Sequence, residues 1–384
     1  MTNDKGAILV VDDELVNQTL LASSLKQAGY AVATASDGQQ ALELLHARQF
    51  DVVLLDILMP EMDGFQVLEH MKGDETLRYL PVIMISALDE MKSVIRCIEM
   101  GATDYLPKPF NPVLLRARID ASLAAKRLRD REQAYLQAIK RELELGRQIQ
   151  ADFLPATLPQ PPGWEISAFF QPALEVSGDF YDAFTLSDQR VVLVLADVCG
   201  KGVGAALFMA LVRSLIRFFA EQVNPCVSDV FDVISLANNY IARHHWRRGM
   251  MFATLFFGVL DAASGVLTYV NAGHPSPIMV GPSGARDISA RANPALGLVP
   301  QLEFIQQQVR FEPGDILLAY TDGVTEALNA ERESFSKEQL LATLQPAAPT
   351  AAALLERIES SVRAHAAGEA ASDDTTMLAV RRAF

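Results

Sequence analysis

Four aspartates in the second half of the chain lie near glycine or a second acid: Asp179 in SGDFYD, Asp197 in DVCGKG, Asp322 in YTDG and Asp373 in SDDTTML. Carboxylates that folding gathers repel one another unless cations neutralise them, and hard oxygen ligands of this kind suit Mg2+ or Mn2+. The chemistry to expect is hydrolysis by a metal-activated water. A second set lies near the start: Asp12 and Asp13 in VVDDE, Asp56 in LLDILMPEMDGF, Ser86 in MISA and Lys108 in DYLPKPF. A carboxylate attacks a phosphoryl donor only when its charge is damped, as a hard cation and an ammonium would do. The resulting acyl phosphate adds switchable charge.

The elements that must position these groups fall into three stretches, expected at residues 1–124, 125–157 and 158–384. In the first, AILVV, DVVLLD and PVIMISA are nearly continuous apolar runs, as parallel strands covered on both faces should be, and GYAVATAS reads as a more exposed strand. Helical patterns at Asn17 to Gln27 and Gln39 to Ala47 alternate with them, which predicts an α/β sheet. Its functional crevice lies outside the carboxyl ends of the strands, where Asp12, Asp13, Asp56, Ser86 and Lys108 fall. The second stretch predicts one long charged helix with no proline after Pro112. Leu128, Tyr135, Leu136, Ile139, Leu143, Ile149 and Phe153 recur mostly three, four or seven residues apart, a partial coiled-coil heptad that predicts a dimerising, signal-carrying linker. PATLPQPPGW ends it. In the third stretch RVVLVLADV, ATLFFGVLD, GVLTYVNAGH and GDILLAYTDG read as strands. Ala205 to Gln222, Val227 to Arg243, Lys337 to Leu344 and Ala351 to Ala366 read as helices, predicting an α+β domain with sheets between helical layers.

Composition narrows the function. At 384 residues the chain suits two or three domains, and half of its residues are hydrophobic. A net charge of −14 argues against nucleic acid as a partner, and neither a Walker-type loop nor a basic recognition helix follows the first domain. Cys97, Cys199 and Cys226 form no paired spacing, and no secretion signal or membrane-length apolar run is apparent, so a cytoplasmic protein with no membrane partner is expected.

The motifs around Asp12, Asp13, Asp56, Ser86 and Lys108 resemble the receiver domain of two-component response regulators. The resemblance implies a five-stranded doubly wound domain in which Asp56 is phosphorylated by an upstream sensor histidine kinase. Asp12, Asp13 and Asp56 would hold Mg2+, Ser86 would contact the phosphoryl group and Lys108 would pair with it. Tyr105 would report the event by changing rotamer, and the Lys108–Pro109 peptide would be cis. From Gln148 onward, QIQADFLP, SGDFYDAF, LADVCGKGVGAALFMA, MFATLFFGVLD, YVNAGHPSP, GDILLAYTDGVTEA and SDDTTML resemble the metal-dependent type 2C serine/threonine phosphatases, specifically the bacterial sporulation and stress-response branch. This implies stacked antiparallel sheets flanked by helices and two Mn2+ or Mg2+ among Asp179, Asp197, Asp322 and Asp373. Asp197 would bridge the ions and the Val198 carbonyl would assist. Gly178, Gly200 and Gly323 would allow close backbone approach, and Asp374 would support from behind the ligands. The implied substrate is a phosphorylated anti-sigma-factor antagonist or a similar small phosphoprotein. Ser177 stands where that family usually has glycine, Cys199 where serine is usual and Ser336 where glycine is common. With Cys199 in place of a histidine found in human-type relatives, a water is the expected proton donor. His274 is expected to brace its turn. The alternative function is a non-catalytic adaptor that sequesters a partner.

Overall fold

The structure, a computed structural model, describes residues 5–86, 91–109, 111–221, 229–244, 251–282, 284–288, 291 and 293–384. The chain divides into two compact units, Met1–Ile139 and Lys140–Phe384.

The first unit runs β1 (Ala7–Val11), α1 (Leu15–Gln27), β2 (Ala31–Ala35), α2 (Gly38–Ala47), β3 (Val52–Asp56), α3 (Gly64–Gly73), β4 (Val82–Ser86), α4 (Met91–Glu99), β5 (Asp104–Pro107) and the first part of α5 (Pro112–Ala151). Its strands pair in parallel in the order β2-β1-β3-β4-β5. This is the doubly wound sheet expected. β3 and β4 are buried at every residue because both faces are covered, whereas β2, at the edge, is half open. Alternate residues of β1 and β3 serve opposite cores: Leu9, Val11, Val53 and Leu55 face one, and Ile8, Val10, Val52 and Leu54 the other. Leu115, Ile119 and Leu123 lay the start of α5 on the second of these. The Tyr30 hydroxyl donates to Asp120 Oδ1 at 2.5 Å, and Lys126 pairs with Asp51 at 3.2 Å. Apolar residues further along the helix are bare, with Leu128 70 %, Tyr135 68 % and Leu136 57 % exposed.

The second unit holds the last turns of α5, then β6 (Trp164–Gln171), β7 (Phe180–Thr185), β8 (Val191–Val198), α6 (Val203–Glu221), α7 (Asp232–His244), β9 (Ala253–Asp261) and β10 (Val266–Ala272). These are followed by β11 (Ile278–Gly281), β12 (Gly284–Asp287), β13 (Gln307–Arg310), β14 (Ile316–Tyr320), α8 (Ser336–Thr343), α9 (Ala351–Ala366) and β15 (Thr375–Arg382). Two antiparallel five-stranded sheets form, β13-β10-β9-β8-β7 and β12-β11-β14-β15-β6. The pleat of β8 explains the layering. Val191, Leu193 and Leu195 point into a core shared with Trp164, Leu317 and Leu378 of the other sheet, while Val192, Val194 and Ala196 meet α6 and α7. The second sheet likewise covers its outer face with α8 and α9 through Leu318, Leu340, Leu354 and Met377. The order of layers is helices, sheet, sheet, helices.

Several boundaries differ from expectation. α6 begins at Val203, and α7 begins at Asp232 rather than Val227, residues 222–228 lying outside the described set together with Cys226. β6 and β15, unread as strands in the sequence, pair along their whole lengths from Thr375 opposite Gln171 to Arg382 opposite Trp164. α6 also amends the expectation about apolar runs, being 19 residues long with mean hydropathy 1.8. Its Phe208, Met209, Val212 and Ile216 are packed into the sheet core, and its Arg213 and Arg217 pair with buried Asp182 at 2.9 and 3.1 Å. Those contacts belong to a core helix.

Candidate functional site

In the first unit, Asp12 and Asp13 follow the end of β1, Asp56 ends β3, Ser86 ends β4 and Lys108 follows β5, so the parallel sheet delivers all of them to one rim. Ligand oxygens of Asp12, Asp13 and Asp56 lie within 4.8 Å of one another. Lys108 Nζ donates to Asp56 Oδ2 at 2.6 Å and to Asp12 Oδ2 at 2.8 Å. Asp12 Oδ1 accepts from the Glu14 N–H at 3.0 Å and from Asn17 Nδ2 at 3.2 Å, which fixes its orientation. Burial raises the pKa of Asp56, with the Lys108 ammonium opposing it and the Asp12 charge adding to it. Three hard oxygens and one ammonium fit a small divalent cation beside the Asp56 carboxylate. Ser86 is fully buried, Tyr105 is half-buried against the core, and the Lys108–Pro109 peptide is cis.

In the second unit the four acids come from both sheets. Asp179 precedes β7, Asp197 lies near the end of β8, Asp322 opens a single 3-10 turn after β14, and Asp373 precedes β15. Asp179 is almost wholly buried; burial and then the charge of Asp197 push its pKa well above the usual carboxylate range. Its Oδ2 accepts from Thr376 Oγ1 at 2.6 Å and Thr321 Oγ1 at 2.8 Å. Asp197, hydrogen-bonded to Asp179, is pushed up to about 6 by burial and then by Asp322; Asp322 is raised by burial and then by Asp373. The acids thus form a chain of neighbours, 179 to 197 to 322 to 373. Among the described residues, only the Asp12, Asp13 and Asp56 set brings three such ligand atoms mutually within 4.8 Å. An all-oxygen set this self-repelling, with donors already aimed at Asp179, fits hard divalent cations.

The backbone around the acids is held by Asp374 and Gly178, which the sequence reading placed near the ligands, and by Ser177 and Gln150, to which it gave no role. Asp374 Oδ2 accepts from Ser177 Oγ at 2.7 Å and from the Gly178 N–H at 2.9 Å, and its Oδ1 accepts from the Ala173 N–H at 2.8 Å. Ser177, the departure from glycine, uses its hydroxyl also to accept from the Asp179 N–H at 2.9 Å. Gln150, in the last turn of α5, clasps the Ser177 backbone, donating from Nε2 to its carbonyl at 2.7 Å and accepting its N–H at 2.9 Å. A β-carbon on Gly323 would lie 2.0 Å from the Asp374 carbonyl oxygen, and one on Gly178 would lie 3.0 Å from that of Val198. Gly200 is uncrowded and instead adopts φ +93°. Ser336 takes φ +62°, the conformation for which glycine is the usual residue.

His274 is buried, and burial lowers its pKa to about 3. Its Nδ1 lies 2.8 Å from Thr254 Oγ1, and Thr254 pairs with Asp197 across β8 and β9. The turn itself is braced by the Asn271 side chain, which accepts the His274 N–H and donates to its carbonyl. Threonines inside YTDG and DDTT were the available signal for Thr321 and Thr376. Nothing local marked Gln150, and Ser177 was marked only as a departure from glycine; the partners of both arrive only on folding.

Fold and site together define a receiver domain joined to a phosphatase domain of the type 2C kind. The profile of the response regulator receiver domain matches residues 8–120, and that of Stage II sporulation protein E matches residues 187–383. The chain belongs to the Stage II sporulation protein E family, with a receiver domain ahead of its phosphatase domain. It is 41% identical to Protein IcfG of Synechocystis sp. over 263 residues, covering 63% of this chain and 41% of that protein. It is 40% identical to the Bacillus subtilis alkaline phosphatase synthesis transcriptional regulatory protein PhoP over 116 residues, 30% of this chain and 48% of that one. The chain therefore spans less than half the length of these relatives. The solved RsbU and RsbW domains of Rv1364c from Mycobacterium tuberculosis align with TM-score 0.50 at 28% identity, over 60% of this chain and 63% of that one. The SiaA-PP2C domain of Pseudomonas aeruginosa shares the fold, with TM-score 0.53 at 22% identity over 65% of this chain and 98% of that one.

Proposed function

We propose that the chain is a two-component response regulator whose output is divalent-metal-dependent hydrolysis of phosphoserine or phosphothreonine in a protein, controlled by phosphorylation of Asp56. The observation that carries this reading is the run of neighbouring acids from Asp179 to Asp373, in which Asp197 raises the pKa of Asp179, Asp322 that of Asp197 and Asp373 that of Asp322, with two threonine hydroxyls aimed at Asp179. Such a cluster repels itself unless cations neutralise it. Asp179, Asp197, Asp322, Asp373 and the Val198 carbonyl would hold two Mn2+ or Mg2+, with Asp197 shared. When bound, the ions supply an activated water and charge neutralisation for in-line displacement at phosphorus. Thr321 and Thr376 favour the ionised form of Asp179 and orient it. Ser177, Gly178 and Asp374 fix the backbone on which Asp179 rides.

In the receiver, Asp12, Asp13 and Asp56 would hold Mg2+, and Lys108 would neutralise the acyl phosphate on Asp56. Ser86 would contact the phosphoryl group and Tyr105 would respond by reorienting. A sensor histidine kinase is the proposed phosphodonor. Because Gln150 at the end of α5 holds Ser177, movement of the linker helix can displace Asp179. The bare Leu128, Tyr135 and Leu136 support a homodimer through this helix. A phosphorylated anti-sigma-factor antagonist is the proposed substrate, by likeness to the Mycobacterium tuberculosis protein with RsbU and RsbW domains.

The test is phosphate release from a phosphoserine protein in Mn2+, with and without a phosphoryl mimic on the receiver, and with Asp322→Ala as blank. Activity that disappears in the blank and changes with the mimic is expected. Activity indifferent to the mimic would confine the receiver to targeting. No activity in any state would leave the adaptor.

A further inference from the structure

We propose that Lys201 is the cationic anchor for the phosphoryl group of the substrate, a role that deepens the phosphatase reading and rests on it. Lys201 lies in the short loop between the end of β8, which carries Asp197, and the start of α6. Its Nζ is 2.9 Å from Asp373 Oδ2 and also donates to the Ser372 carbonyl. Among the described residues it is the one Lys or Arg in an ion pair with any of Asp179, Asp197, Asp322 and Asp373.

Charge balance gives this ammonium a task. Four carboxylates and two divalent cations cancel, so the loaded site has no net positive charge with which to receive a substrate. A phosphoserine group brings about 1.5 to 2 further negative charges, and the attacking water must lose a proton. The ammonium already at the rim is Lys201. In this arrangement Lys201 Nζ pairs with Asp373 and donates to the Ser372 carbonyl; with Asp373 engaged by a cation, the ammonium would have a donor free for a non-bridging phosphoryl oxygen beside the reacting centre.

The loop is built for such an exchange of partners. Gly200 and Gly202 flank Lys201 with φ +93° and +74°, and neither has an atom within 4 Å of where a β-carbon would stand. The lysine stem is flexible and its head is a compact point charge, suited to following a phosphoryl group from ground state to product. A purely structural tie between the loops is the competing role. An ion pair with its lysine side chain 47% exposed and its aspartate 34% exposed does little for stability, so that role predicts a different result.

The experiment uses the full chain, wild type, Lys201→Ala and Lys201→Arg, loaded with Mn2+, and inorganic phosphate as probe. Phosphate binding is read from paramagnetic broadening of its 31P signal, Mn2+ binding from calorimetry, and KM and kcat from the phosphoprotein. Lys201→Ala should bind phosphate roughly ten- to a hundredfold more weakly, as loss of a charged hydrogen bond implies. Its Mn2+ affinity should be unchanged or slightly tighter, because a competitor for Asp373 is gone, and Lys201→Arg should recover most of the phosphate binding. Unchanged phosphate binding in Lys201→Ala, or a loss matched by equal loss of Mn2+ affinity, overturns the assignment. If the wild type binds Mn2+ and phosphate through Lys201 yet hydrolyses no phosphoprotein, the phosphatase reading fails and the anion anchor survives.

Discussion

Replacing Thr376 by valine exchanges a hydroxyl for a methyl of similar volume at a fully buried position and deletes one hydrogen bond, 2.6 Å long, to Asp179 Oδ2. A buried bond to a charged acceptor contributes about 1.5–3 kcal/mol, but only while Asp179 is ionised. In the ion-free protein, burial and Asp197 hold the Asp179 carboxyl well above its usual pKa, which disfavours the ionised form that the hydroxyl serves. The loss should therefore fall on the ion-loaded state. At 1.4 kcal/mol per decade it corresponds to roughly ten- to a hundredfold weaker Mn2+ binding. Thr321 still donates at 2.8 Å, which favours the lower half of that range. Thr321 is the poorer choice of target because its hydroxyl also accepts the Thr376 N–H at 3.0 Å, so its loss would orphan a backbone donor. Calorimetric titration of Mn2+ into Thr376→Val, with melting curves of the ion-free protein, separates the two states. Affinity within twofold of wild type would refute the reasoning. So would an ion-free melting temperature lowered by many degrees, which would make the hydroxyl a prop of the fold.

Stability of the ion-free protein should fall as pH rises from 5 to 7. The Asp197 pKa is raised to about 6 in the fold, so the folded state binds more protons than the unfolded chain; that stabilisation, on the order of 2–3 kcal/mol, is complete below the unfolded pKa and lost as pH passes 6. Melting curves with chelator should show this trend and Mn2+ at pH 7 should reverse it; a melting temperature that climbs from pH 5 to 7 would contradict it. Gly323→Ala, which would set a β-carbon 2.0 Å from the Asp374 carbonyl, should destabilise by about 2 kcal/mol or more and weaken Mn2+ binding, both measurable by thermal shift. Ile139→Pro, breaking α5 in its exposed middle, should leave Mn2+-dependent phosphate release intact and remove its response to a receiver phosphoryl mimic. A preserved response would rule out transmission through the helix.

Much of the architecture was legible because its signals are local. The apolar runs of β1, β3, β4, β8 and β9 read directly as buried strands, since covering both faces of a sheet leaves few polar positions along them. The acids could be found because each stands with glycine or a second acid in a short motif. β6 and β15 were not read as strands: WEISAFFQ mixes half-exposed residues, and TTMLAVRR begins and ends polar. Each becomes a strand chiefly by pairing with the other across some two hundred residues of chain.

The sequence by itself determined which groups exist: hard carboxylates in two sets, an ammonium at Lys108, and a proline-free helix after Pro112. Only the tertiary structure decided what state those groups are in. Thr376 meets Asp179 across 197 residues, Ser177 meets Asp374 across the same separation, and Lys201 meets the Ser372 and Asp373 loop across about 171. A carboxylate's pKa and orientation depend on what lies within a few ångströms after folding. Proximity of that kind is created by stacking two sheets, and no spacing along the chain encodes it.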